Sequence, residues 1–190
     1  MNIKLVSICA LLSVLGLGTL LAGSSDSKPG LGLDALDDFV GTWMMADENG
    51  EATDMVATEV RKTAGGSALL EILMPGTPNE MITMYYMDGD QLKLTHYCSC
   101  TNHPILAASR DGDGNLRFDC TGKGENFAEC KTTPHMHDAV YRFDGKDKVS
   151  TTWRMMEDGE LGYEANFSFI RKTEVADARD AALDALGAGR

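Results

Sequence analysis

From residue 42 onward, apolar and polar residues alternate in short runs, the period of a strand with one face buried. Ten such runs can be marked, at 42–46, 54–62, 67–74, 81–87, 91–100, 105–110, 115–120, 137–143, 148–156 and 161–171. Asp88-Gly89, Asp111-Gly112-Asp113-Gly114, Asp144-Gly145 and Asp158-Gly159 each separate two of them. Asp-Gly tolerates the positive φ that tight hairpin turns require, so these pairs join antiparallel neighbours. A meander this long is expected to close, since closure removes the exposed edges of an open sheet. The pattern predicts an all-β fold, an antiparallel up-and-down barrel of about 8–10 strands.

The two ends read differently. Leu33, Leu36, Phe39 and Val40 recur at helical spacing, which predicts a turn or two of helix before the first strand. Further upstream, Lys4 precedes an uncharged, mainly apolar run over 5–21, followed by Ala22-Gly23-Ser24 and a polar stretch. Charge, apolar middle and small-residue exit make residues 1–24 a cleavable secretory signal. The run falls short of the roughly 20 residues of a membrane helix, so no stable span is expected after cleavage. Residues 25–32 form a Gly/Ser/Pro tether, 33–173 the barrel domain, and 174–190 a helical or frayed tail. The expected location is the periplasm or the extracellular space.

Charge and cysteines narrow the picture. A net charge of −12 repels phosphate backbones, and there is no basic cluster and no Gly-rich phosphate loop, so a nucleic-acid partner is not expected. Cys9 leaves with the signal, which keeps Cys98, Cys100, Cys120 and Cys130 in an oxidising compartment. Four cysteines allow three pairings. Cys120 and Cys130 bracket a Gly-containing loop that a disulfide would restrain, and Cys100–Cys120 is the rival bridge. Cys98 and Cys100, placed on one strand, would sit ~6–7 Å apart with poor geometry for a bond.

Phe39-Val40-Gly41-Thr42-Trp43 resembles the first-strand signature of lipocalins and related calycin barrels. The resemblance implies a short helix leading into Gly-x-Trp, with Trp43 closing the barrel floor and an arginine near the last strand packed over its ring. Arg171 shares a face with Tyr163, Ala165, Phe167 and Phe169, so it is expected to point inward for that cation–π contact. Lipocalins have eight strands, and some ten-stranded calycin-like barrels bind haem. Leu94-Thr95-His96-Tyr97-Cys98, Asn102-x-Pro104 and His135-Met136-His137-Asp138 are similar to an uncharacterised bacterial family of small exported lipocalin-like domains. That likeness implies a fold rather than an activity.

Alternation also picks out the candidate chemistry. It puts Leu92, Leu94, His96, Cys98 and Cys100 on one face of the fifth run, and His135, His137, Ala139, Tyr141 and Phe143 on one face of the eighth. Imidazoles and a thiol would then converge in the barrel or its mouth. As a metal site the ligands would be His96, Cys98, His135 and His137. As a pocket for a small hydrophobic ligand, haem included, the lining would comprise Trp43, His96, Cys98, His135, His137, Tyr141 and Arg171. As a third reading the histidines are core or rim residues satisfied by backbone and by Tyr141.

No motif assigns a catalytic residue. A nucleophilic Cys98 with a histidine base is disfavoured, because a thiol in apolar company is inert. Asp111-x-Asp113-x-Asn115 starts like a calcium loop but lacks its glycine and closing glutamate, and reads as a turn. The leading expectation is an exported non-enzymatic binding protein with a small hydrophobic guest. A His/Cys metal protein or metal-dependent enzyme is the alternative, and a structural envelope module without a ligand is the second. No cofactor is required by the sequence.

Overall fold

Every one of the ten alternating runs becomes a strand. They are β1 (Gly41–Ala46), β2 (Ala52–Thr63), β3 (Ala68–Leu73), β4 (Met81–Asp88), β5 (Gln91–Tyr97), β6 (Ile105–Arg110), β7 (Leu116–Cys120), β8 (His135–Asp144), β9 (Lys148–Glu157) and β10 (Glu160–Arg171). Each pairs antiparallel with its sequence neighbours, and β1 pairs with β10 to close the barrel. The computed structural model describes residues 30–121 and 134–173. The expected signal peptide, most of the tether, Cys130 and the helical tail lie outside the described residues. Among the described residues, no helix is long and apolar enough to cross a membrane.

The turns behave as their residues dictate. Gly89, Gly114 and Gly145 all take positive φ where the sequence placed tight turns, and Asp158 and Gly159 do so together. Asp111 holds the β6–β7 turn by accepting from the backbone N–H of Asp113 at 3.0 Å and of Asn115 at 2.8 Å. Its calcium-like start is therefore an Asx turn.

One end of the barrel is a sealed floor. A 3-10 turn, Leu33–Phe39, lays Leu36 and Phe39 across it with no residual exposure. Trp43 is equally buried, and its indole N–H donates to the Phe39 carbonyl at 2.8 Å. Arg171 stands 4.2 Å from the centroid of the Trp43 ring. Its guanidinium donates to three carbonyls: Lys146 at 2.6 Å, Val40 at 2.7 Å and Asp38 at 2.5 Å. The residue that ends the last strand thus clamps the segment that starts the first. Gly41 is required beside it: its φ is 142°, and a Cβ there would sit 2.5 Å from Arg171 Nη1.

The opposite end is the mouth, where β1–β2, β3–β4, β5–β6 and β9–β10 connect. Two irregularities there decide which side chains face inward. The β8–β9 register shifts between Met136 and Asp138, which makes His137 an extra residue, and the β10–β9 register shifts between Leu161 and Tyr163. A bulge breaks the two-residue alternation on its strand. Tyr163, expected on the inner face, lies beyond that shift in unbroken register with Ala165 and Phe169, yet near the mouth end of β10 it is more than half exposed.

Candidate functional site

Among the described residues, a band of buried polar side chains crosses β2 to β5 in the otherwise largely apolar interior and is met by Tyr141 on β8 and Thr151 on β9. Glu71 falls in phase with Leu69 and Leu73 on β3 and is almost completely buried. The register sets it directly opposite Thr83 on β4, and Thr83 directly opposite His96 on β5. Tyr85 follows Thr83 on the same face, because strand side chains repeat every two residues. These positions bring donors around the carboxylate. Tyr85 donates to Glu71 Oε2 at 2.5 Å and Thr58 donates to Oε1 at 3.0 Å. The Tyr141 hydroxyl lies 2.7 Å from that of Tyr85. Since Tyr85 gives its proton to Glu71, Tyr141 donates to Tyr85.

Thr83 links this cluster to His96. It stands directly opposite Glu71 in the register, and its hydroxyl lies 3.0 Å from His96 Nδ1. The imidazole packs against Trp153, with ring centroids 5.0 Å apart. His96 Nε2 and Thr151 Oγ1 are both buried without a hydrogen-bond partner, as is Asn102 Oδ1. An orphaned polar atom in a low-dielectric interior is costly, and it marks a place where a guest or water is expected.

His96, Thr151 and Glu71 line the same cavity, of ≈50 Å³, together with Trp153 and apolar residues that include Met74, Met81 and Met136. Water needs about 10–15 Å³ of such space, so the cavity admits a few waters or the polar end of a small molecule. Haem exceeds this volume many times over, and ligand pockets for drug-sized molecules run to ~300–1,000 Å³. The half-buried Met74, Met81 and Met136 stand at the mouth side of the cavity. Methionine is unbranched and adapts its shape, which lets such a wall yield to an apolar group.

The electrostatics follow from burial. Desolvation pushes the Glu71 carboxyl up to about 7, against the hydrogen bonds from Tyr85 and Thr58 that favour its charge. Burial, and next the neighbouring Glu71, raise Tyr85 and Tyr141 well above the usual phenol value. Burial also takes His96 down to about 4, which keeps it neutral at physiological pH. A neutral imidazole with an open nitrogen and a carboxyl that titrates near neutrality now share one cavity.

The residues singled out in the sequence separate into three groups. Trp43 and Arg171 form the floor, and neither lines the cavity. His96 lines it, and Tyr141 touches the network behind it while packing edge-on against Phe39, Phe118, Tyr85 and Trp153. Cys98, His135 and His137 are elsewhere.

Strand β5 ends at Tyr97, and Cys98 begins a turn in which its N–H donates to the Asn102 carbonyl at 2.9 Å and its carbonyl accepts from Thr101 at 3.0 Å. Cys98 is therefore half-buried in a loop and Cys100 exposed, not on the inner face beyond His96. The bulge at His137 has the parallel effect on β8: Met136, rather than either histidine, lines the cavity.

His135 and His137 do come together, with Nε2 of the first 3.2 Å from Nδ1 of the second. Their ring nitrogens and the Cys120 sulfur all lie within 4.8 Å of one another. The expected four-residue metal set is thus not assembled: among the described residues, the metal-sized group joins Cys120, and not His96 or Cys98, to the histidine pair. Burial, then the nearby His135, lowers the pKa of His137 and favours its neutral, ligating form. Cys98 and Cys100 both carry free thiols, so the rival Cys100–Cys120 bridge is not formed. The expected Cys120–Cys130 bridge involves a residue outside the described ones.

Sequence reasoning missed Glu71, Thr83, Tyr85, Thr151 and Trp153. One signal was present: Glu71 is the single carboxylate in Ala68–Leu73, in phase with leucines rather than against them. Comparison with known proteins adds no relative, since no family model and no curated protein matches the chain. The closed ten-stranded barrel is consistent with a lipocalin- or calycin-like fold, and the likeness to one bacterial family gains no further support.

Proposed function

We propose that the chain is an exported, non-enzymatic binding protein whose barrel holds a small hydrophobic molecule by one neutral polar group. The observation that carries this reading is the pair of unpartnered buried atoms, His96 Nε2 and Thr151 Oγ1, on one cavity within an otherwise apolar barrel. A guest that hydrogen-bonds them relieves a desolvation cost the empty protein bears, while its body meets Trp153 and the methionines. The cavity favours a slim guest over a haem-like one. The leader-like N-terminus supports export, and a Cys120–Cys130 disulfide and the likeness to small exported bacterial domains belong to the same reading.

The test is a panel of short-chain alcohols, ketones and amides, read by thermal stabilisation and calorimetry. A binder is expected to lose roughly five- to tenfold in affinity with His96→Ala or Thr151→Val, since one buried hydrogen bond contributes ~1–1.5 kcal/mol. The full chain purified from its own host is expected to carry a guest visible by native mass spectrometry. No guest, and no stabilisation by any compound, would remove the binding function.

A second reading is favoured by the His135–His137 pair, whose adjacent ring nitrogens suit a borderline transition-metal ion. Titration of the oxidised full chain with Zn²⁺ is expected to show one equivalent bound, lost in His135→Ala/His137→Ala. Unchanged affinity in that double variant would place the ion elsewhere and end this reading.

A further inference from the structure

We infer that the reduced chain holds a zinc-like divalent ion at a three-ligand site, made by the Cys120 sulfur and one ring nitrogen each of His135 and His137. Bridging Cys120 to Cys130 then takes the thiolate away and releases the ion. The inference rests on the metal reading given above; Cys120 as third ligand and the redox control go beyond it.

Backbone register builds the site from two strands. Leu116, Phe118 and Cys120 share one face of β7, and the first two are fully buried in the core. Asp119 stands opposite Asp138 on β8, so the next step along the ladder sets Cys120 beside His137. On a regular strand, side chains two residues apart project ~6–7 Å from each other. The extra residue in β8 increases the local twist, and the rings of His135 and His137 meet with centroids 5.4 Å apart. Two bonds from neighbouring segments hold this frame. The Thr121 N–H donates to the Ile105 carbonyl at 3.2 Å, and the Asn102 side chain donates to the Pro134 carbonyl at 2.6 Å. They fix the residue after Cys120 and the residue before His135.

The distances and the donor set suit one small ion. Bonds of ~2.0–2.3 Å at tetrahedral angles place two ligand atoms about 3.3–3.8 Å apart. Nε2 of His135 and Nδ1 of His137 are 3.2 Å apart, and the Cys120 sulfur and the ring nitrogens all lie within 4.8 Å of one another. A thiolate with two imidazoles selects Zn²⁺ over Mg²⁺ or Ca²⁺, which take oxygen ligands. Three protein atoms leave one corner of a tetrahedron for water. On binding, the ion displaces the thiol proton and the proton held between the two rings.

Cys120 cannot serve the ion and a bridge at once. In the oxidising step the Cys130 thiolate attacks a small disulfide, RSSR, and expels RS⁻. The Cys120 thiolate then displaces the second RS⁻ from the mixed disulfide. Two electrons pass from the cysteines to RSSR, and one S–S bond forms in the chain as one breaks in the oxidant. Zn²⁺ has no redox chemistry and leaves with its charge unchanged. The histidine pair remains as a weaker, two-ligand site.

The experiment measures Zn²⁺ affinity by chelator competition in the full chain carrying Cys9→Ser, Cys98→Ser and Cys100→Ser, which leaves Cys120 and Cys130 as its only cysteines. The chain reduced by a phosphine is expected to bind one equivalent roughly hundredfold more tightly than the chain oxidised by glutathione disulfide. Co²⁺ in place of Zn²⁺ should show a thiolate charge-transfer band in the reduced chain and not in the oxidised one. With reductant present, Cys130→Ser should keep both the tight binding and the band. Cys120→Ser should lose the band and fall to the affinity of the oxidised chain, and that residual binding shows the histidine pair still assembled.

Equal affinity in the two redox states, or a Cys130→Ser chain as weak as Cys120→Ser, overturns the three-ligand site. If that equal affinity is still lost in His135→Ala/His137→Ala, the histidine-pair reading stands without Cys120. No zinc bound in either redox state overturns both.

Discussion

Arg171→Met destabilises the barrel by about 3–4 kcal/mol, a large loss for a side chain that is not fully buried. Three backbone carbonyls accept from the guanidinium, and its plane lies over Trp43. Hydrogen bonds to a charged group contribute ~1.5–3 kcal/mol each and a cation–π contact about 0.5–2, but they share one partly exposed side chain and do not add fully. Methionine keeps the aliphatic stem and removes every donor, which leaves the Asp38, Val40 and Lys146 carbonyls to find water.

Arg171→Lys should recover less than half of the loss, because an ammonium cannot span three acceptors held in a fork. Urea unfolding monitored by tryptophan fluorescence measures both. The midpoint should fall with an unchanged m-value. A loss under 1 kcal/mol for Arg171→Met would show that the 3-10 turn seals the floor without its clamp.

Glu71→Gln is expected to change the pH dependence of stability more than its value at any one pH. Folding raises the Glu71 pKa from 4.5 to about 7. The native state therefore holds a proton that the unfolded chain has released between these values, and stability falls as pH rises through the window. The span corresponds to about 3 kcal/mol. His96 acts in the opposite sense. Its pKa falls from 6.5 to about 4 on folding, so stability is lost as pH drops through that interval.

Between about 4.5 and 6.5 the two effects oppose, and the wild-type curve is nearly flat there. With glutamine at 71 only the His96 effect remains. The variant should then gain on wild type by about 3 kcal/mol between pH 4.5 and 7.5, and be the more stable protein at pH 8. Chemical denaturation at four pH values across this range decides it. Parallel curves would mean that Glu71 is ionised in the native barrel at pH 5.

How far the sequence could be read depends on whether a feature is local or lateral. Alternation and Asp-Gly turns are written in consecutive residues, and ten runs became ten strands with edges near those expected. Gly41, Trp43 and Arg171 were legible because glycine before tryptophan and a terminal arginine on an inward phase carry their geometry with them. Cys98 was misplaced because alternation was extended past the point where its strand ends. Whether a run of three polar residues continues a strand or turns depends on its neighbour's hydrogen bonds, as with Cys98 and Asn102.

By itself, then, the sequence determined an all-β meander, its closure, its sealed floor and the inward position of His96. The tertiary structure alone decided what His96 meets. Register sets Glu71, Thr83 and His96 side by side although they are distant in sequence. One extra residue at His137 turns Met136 into the cavity and leaves the histidine pair beside Cys120. The physical reason is the same in both cases. A two-residue period states which face a side chain takes, but only the hydrogen-bonded register between strands states which side chains share that face.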